Sequence, residues 1–119
     1  MPDQAVVTDE MVGRNANLGA ILPRLRRRFE ELYGGRLVKL ILYGSQARGE
    51  AHKYSDIDIL VVLKGPVHPG QEIERTGEFV SGLSLEYDAV IQCLFLDEEQ
   101  YAAAESPLVE NVAKEGVEI

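Results

Sequence analysis

Gly44-Ser45 and Asp56-Ile57-Asp58 are separated by ten residues, and these residue types in this order suit chemistry on phosphate. A glycine directly after an apolar run lets backbone pass close to a ligand. A serine at the start of a helix offers amide donors and a hydroxyl where the helix dipole favours an anion. Two aspartates two positions apart on a strand point to the same face, with Cα atoms about 6.6–6.8 Å apart. Carboxylates so placed can share hard cations. Mg²⁺ binds through a few carboxylates plus substrate phosphate oxygens, and a metal pair stabilises both the attacking and the leaving oxygen of an in-line displacement. At average residue usage, Gly-Ser and Asp-x-Asp at one fixed spacing arise at about 10⁻⁵ per starting position, so coincidence is a weak rival.

The neighbouring elements give the pattern its context. Leu37 to Tyr43 is short and rich in strand formers and runs straight into Gly44-Ser45; Gln46-Ala47-Arg48-Gly49 then reads as a short helix. A second strand covers Ile57 to Leu63 and stops at Lys64-Gly65-Pro66. The acids therefore open one strand and the Gly-Ser closes another. Ahead of them, Leu18, Ile21, Leu22, Leu25, Phe29 and Leu32 recur at helical spacing and end at Tyr33-Gly34-Gly35, with Pro23 implying a kink or a late start. Arg24, Arg26, Arg27 and Arg28 in that helix read as a solvated face. Residues 70–82 are helical in composition, with Ile73, Phe79 and Val80 as candidate buried positions. A third strand is expected from about Leu85 to Leu96. Asp97-Glu98-Glu99-Gln100 reads as an acidic helix start, and Ser106-Pro107 as the cap and first position of a last helix closed by Gly116. The pattern is αβαβαβα.

Gly-Ser, ten residues, Asp-x-Asp resembles the minimal nucleotidyltransferases of the polymerase-β-like superfamily. The resemblance is close from Leu37 to Leu63 and looser through Leu85-Glu86-Tyr87-Asp88-Ala89-Val90 to Ser106-Pro107 and Glu115-Gly116. It implies an α/β (α+β) fold, a small mixed sheet with helices mainly on one face. It implies that Asp56 and Asp58 hold metal, two Mg²⁺ ions, that Gly44 and Ser45 grip the nucleotide phosphates, and that a third carboxylate lies on a neighbouring strand. Asp88 fits that third place: early in an otherwise apolar strand, a carboxylate is costly unless a cation or solvent meets it. Glu86, on the same predicted face, is its rival. Arg48 either neutralises phosphate or pairs with Glu50 on the surface. His52, Lys53 and His68 read as loop residues.

The resemblance further points to small proteins paired with an all-helical HEPN ribonuclease toxin, which act as antitoxins by moving AMP from ATP onto a toxin tyrosine. Two other readings stay open: a non-catalytic module that neutralises a toxin by occlusion, and an enzyme acting on a small metabolite or antibiotic.

The composition bounds these readings. With 119 residues, 45% hydrophobic and 27% charged, the chain suits one globular domain, here taken as residues 17–119 behind a polar lead-in, 1–16, with no clear period. A net charge of −8 argues against bulk binding to a nucleic-acid backbone, which rests on Lys and Arg. The charge is split: residues 1–64 carry 10 basic and 8 acidic side chains, residues 65–119 carry 2 and 12. The split suggests either one strongly acidic face suited to a basic partner or solvated charge kept for solubility. No apolar window reaches membrane length and the first residues lack a signal-peptide pattern, so a cytoplasmic protein without membrane contact is expected. The single cysteine, Cys93, lies in an apolar run and reads as a buried thiol; it excludes an intrachain disulfide.

Overall fold

The computed structural model describes residues 5–6, 17–44, 47 and 56–119. Its elements in chain order are β1 (Ala5–Val6), α1 (Leu18–Tyr33), a 3₁₀ turn (Gly34–Arg36), β2 (Leu37–Tyr43), β3 (Ile57–Leu63), α2 (Pro69–Tyr87), β4 (Ile91–Asp97), α3 (Glu98–Ala103), α4 (Pro107–Glu115) and β5 (Val117–Glu118). The strands form one mixed sheet in the order β1-β5-β2-β3-β4. β2 is antiparallel to β3 and to β5, whereas β1 pairs parallel with β5 and β4 parallel with β3. The parallel step from β3 to β4 needs a crossover, and α2 supplies it.

Alternation along β3 divides the protein into two layers. Ile57, Ile59, Val61 and Leu63 face a core with Leu18, Ile21, Leu25 and Phe29 of α1 and Leu83 of α2. Leu60 and Val62 face the opposite side, against Ile41 and Val112 of α4. Both faces are covered, which is why β3 reads as a nearly continuous apolar run. The two long helices lie on one face, and the other carries the short α4. α1 stops where expected: Gly34 takes φ 52°, and its amide donates to the Glu30 carbonyl. Pro23 lies inside α1, exposed to solvent, without ending it. Arg26 and Arg27 pair along the helix with Glu30 and Glu31 in solvent, as a solvated face should.

The last helix starts as read. Ser106 Oγ accepts from the Val109 amide at 3.2 Å, and Pro107 occupies the first turn. α3 is opened by a reciprocal cap in which Asp97 accepts from the Gln100 amide and the Gln100 side chain accepts from the Asp97 amide.

The third strand requires a correction. The segment from Leu85 to Val90 is not strand; α2 continues through Leu85-Glu86-Tyr87 and β4 begins only at Ile91. Tertiary contacts extend the helix. Glu86 pairs with Arg24 of α1, the same guanidinium lies 5.6 Å from the Tyr87 ring centroid, and Asn17 donates to the Tyr87 carbonyl at 3.0 Å. Within α2, Ile73 is exposed, and Glu72 and Thr76 are buried instead. Glu72 is tolerated there because Tyr33 Oη donates to its carboxylate at 2.7 Å and Arg75 lies 3.6 Å away. The same burial, with the Glu72 hydrogen bond, raises the Tyr33 hydroxyl far above the usual phenol range.

Candidate active site

The register of three strands builds the site. Tyr43 at the end of β2 pairs with Asp58 on β3, and Asp58 pairs with Gln92 on β4. Residues directly across a ladder point to the same face, so Tyr43, Asp58 and Gln92 form a row on the α4 side of the sheet. Asp58 heads the column that continues as Leu60 and Val62. Asp56 immediately precedes β3 and is exposed, whereas Asp58 is half-buried.

Gly44 closes the cradle around Asp58. Its φ is 74°, in the left-handed region that favours glycine, and a Cβ built on it would lie 2.6 Å from Asp58 Oδ2. No side chain fits there without displacing the carboxylate. Glycine is thus required twice, by backbone conformation and by close approach. Burial raises the Tyr43 hydroxyl above its ordinary pKa, and the nearby Asp58 carboxylate and then Cys93 push in the same direction. Tyr43 therefore stays protonated beside Asp58 at neutral pH.

Asp56 and Asp58 at one strand end, with Gly44 leaving open space at Asp58, are oxygen donors of the kind that would suit a hard divalent cation, whose remaining ligands would come from substrate phosphate and water. The expected third member is placed differently. Asp88 caps α2 in the left-handed region, φ 50°, and is exposed. It lies two residues ahead of Val90, whose carbonyl accepts from the Ile57 amide at 2.8 Å, so it belongs to the same end of the sheet but to a turn, not a strand. Aspartate tolerates this conformation better than most residues. Among the described residues no three His, Cys, Asp or Glu side chains gather into a metal-holding group. The strand position level with Asp58 is taken by Gln92, a neutral amide that sequence reading passed over because the misplaced strand start hid the register. Glu86 is engaged with Arg24 on the α1 side.

Ser45, Arg48, His52 and Lys53 lie outside the described residues. His68 is an exposed residue at the N-cap of α2. Cys93 is packed against the main core, and burial pushes its thiol up to about 12. A cleft of about 380 Å³ between α1 and the Leu37–Leu40 stretch of β2 does not include the paired aspartates among its described lining residues.

A family model described as a nucleotidyltransferase domain matches residues 22–118, from α1 to β5. The chain belongs to this nucleotidyltransferase family. It is 40% identical over 58 residues to a protein of Methanocaldococcus jannaschii named for protein adenylyltransferase activity, a match spanning 49% of this chain and 38% of that relative's length. The fold is similar to a Sulfolobus solfataricus protein described as a nucleotidyltransferase, with a TM-score of 0.65, 18% identity, and 94% of this chain and 87% of that chain covered. It is also similar to a chain in a structure described as a toxin–antitoxin with AMP-PNP, at a TM-score of 0.57 and 19% identity, covering 82% of this chain and 72% of that one. No described helix is long and apolar enough to cross a membrane.

Proposed function

We propose that this nucleotidyltransferase moves AMP from ATP onto a tyrosine hydroxyl of a HEPN-type toxin and so acts as its antitoxin. The observation that carries the chemistry is the close approach of Asp58 to Gly44 across β2 and β3, with Asp56 two residues earlier in the chain. Support for the acceptor comes from the adenylyltransferase name of the M. jannaschii relative and from the structural likeness to a toxin–antitoxin chain. The excess of acid in residues 65–119 suits a basic, RNA-binding partner.

In this reading Asp56 and Asp58 would hold Mg²⁺, two ions in all, and Asp88, which is not gathered with them, would act from the turn at the same end of the sheet. A metal held there would supply positive charge to offset that of the triphosphate and of the departing pyrophosphate. Gly44, with Ser45 and Arg48, holds the phosphates against the start of β3. The acceptor oxygen attacks the α-phosphorus in line: its O–P bond forms, the bond to the bridging oxygen of pyrophosphate breaks, and the hydroxyl proton passes to Asp88. Gln92, neutral at all pH values, leaves that proton to a carboxylate.

The acceptor is tested by incubating the wild-type chain, and Asp58→Asn, with α-labelled ATP, Mg²⁺ and lysate of the source cells, then separating proteins from small molecules. Label on one discrete protein band, absent with Asp58→Asn, is expected. Label on a small molecule alone would replace the toxin by a metabolite, and neutralisation of the toxin by Asp58→Asn without any label would replace transfer by occlusion.

A further inference from the structure

On the same face as Asp58, a second concave feature begins at Gly44. Tyr43 and Gly44 form one wall of a cleft of about 160 Å³, and Leu108, Asn111, Val112 and Glu115 of α4 form the other. The four helix positions follow i, i+3, i+4, i+7 and so share one helix face. Val112 is buried at the cleft floor, and Leu108 is exposed at its rim. Apolar walls with a few convergent polar groups are the usual lining of a small-molecule site.

Gly44 belongs both to this cleft and to the Asp58 cradle, so the two adjoin at that residue. The cleft volume is about half the roughly 300 Å³ at which whole-ligand pockets begin, which suits part of a nucleotide and not the whole. The charge distribution sets the direction. No Lys or Arg is among the described residues that line the cleft, whereas the anionic tail is assigned to Asp56 and Asp58 with their cation and to Arg48. A neutral nucleoside moiety is what remains for the cleft. The amide of Asn111 presents a donor and an acceptor side by side, the pair that matches the N6 amino group and N7 of adenine.

Resting on the nucleotide reading above, we propose that the cleft between Tyr43-Gly44 and α4 receives the nucleoside half of ATP and that Asn111 reads the adenine edge. The binding surface of α4 is then a specificity element, distinct from the phosphate and metal end of the site.

The test is equilibrium binding of ATP and of GTP, each with Mg²⁺, to the full wild-type chain and to Asn111→Ala, with Leu108→Asp as a second variant at the rim. Asn111 and Leu108 are exposed, so neither change threatens the core. The wild-type chain is expected to prefer ATP. Asn111→Ala is expected to lose about 10-fold of that preference, in the range that one bidentate base contact confers, and Leu108→Asp to weaken both nucleotides. ATP affinity and preference unchanged in both variants would overturn the cleft assignment while leaving the nucleotide reading in place. Absence of nucleotide binding to the wild-type chain would overturn both.

Discussion

Gly44 joins backbone conformation to chemistry at one residue. A left-handed φ costs a residue with a Cβ about 1–2 kcal/mol, and at Gly44 the same Cβ would also collide with the Asp58 carboxylate. Gly65 is a built-in control, because its φ is 77° yet a Cβ there would meet nothing within 4 Å. Gly44→Ala and Gly65→Ala should both unfold at lower temperature. Only Gly44→Ala should lose transfer, by about 10²–10³-fold, the scale of removing one preorganised electrostatic contact. Equal activity in the two variants would show that the Asp58 cradle is not part of the site. At this scale the sequence was informative: Gly44, Asp56 and Asp58 stood out by type and spacing, and the register brings Gly44 and Asp58 together. Gln92 could not be seen, because its meaning depends on which β4 residue faces Asp58, and composition carries no register.

At the scale of elements, α1, β2, β3 and α4 follow their sequence signals to within a residue or two, since each has a sustained apolar period and a recognisable stop. The α2–β4 junction does not. Leu85-Glu86-Tyr87 has no helix stop of its own, and the contacts of Glu86 and Tyr87 with Arg24 lie 62 and 63 residues away in sequence, beyond any local pattern. β1 and β5 are two residues each, too short to show a period. The two helices that end in a non-glycine residue at positive φ, α2 at Asp88 and α3 at Ala104, give a paired test of what Asp88 is for. Glycine relieves the left-handed strain at either position, so Asp88→Gly and Ala104→Gly should each raise stability by up to about 1 kcal/mol in denaturant unfolding. Asp88→Gly should at the same time slow transfer, whereas Ala104→Gly should leave it unchanged. Full transfer by a stabilised Asp88→Gly chain would reduce Asp88 to a helix cap.

For the molecule as a whole, the mixed sheet divides labour between its faces. One face carries the main core under α1 and α2. The other holds Tyr43, Asp58 and Gln92 in a row beside α4, so the proposed site opens on the side opposite the long helices. The acidic residues concentrate in the half of the chain that supplies α2, β4, α3 and α4. Nucleotidyl transfer at the Asp56 and Asp58 pair is tested most directly by parallel reactions with α-labelled and γ-labelled ATP, run with wild-type chain and with Asp58→Asn. The predicted result is α-label on the acceptor and γ-label in pyrophosphate, both lost in Asp58→Asn while its unfolding temperature stays near that of the wild-type chain. γ-Label on the acceptor, or undiminished transfer by Asp58→Asn, would contradict it.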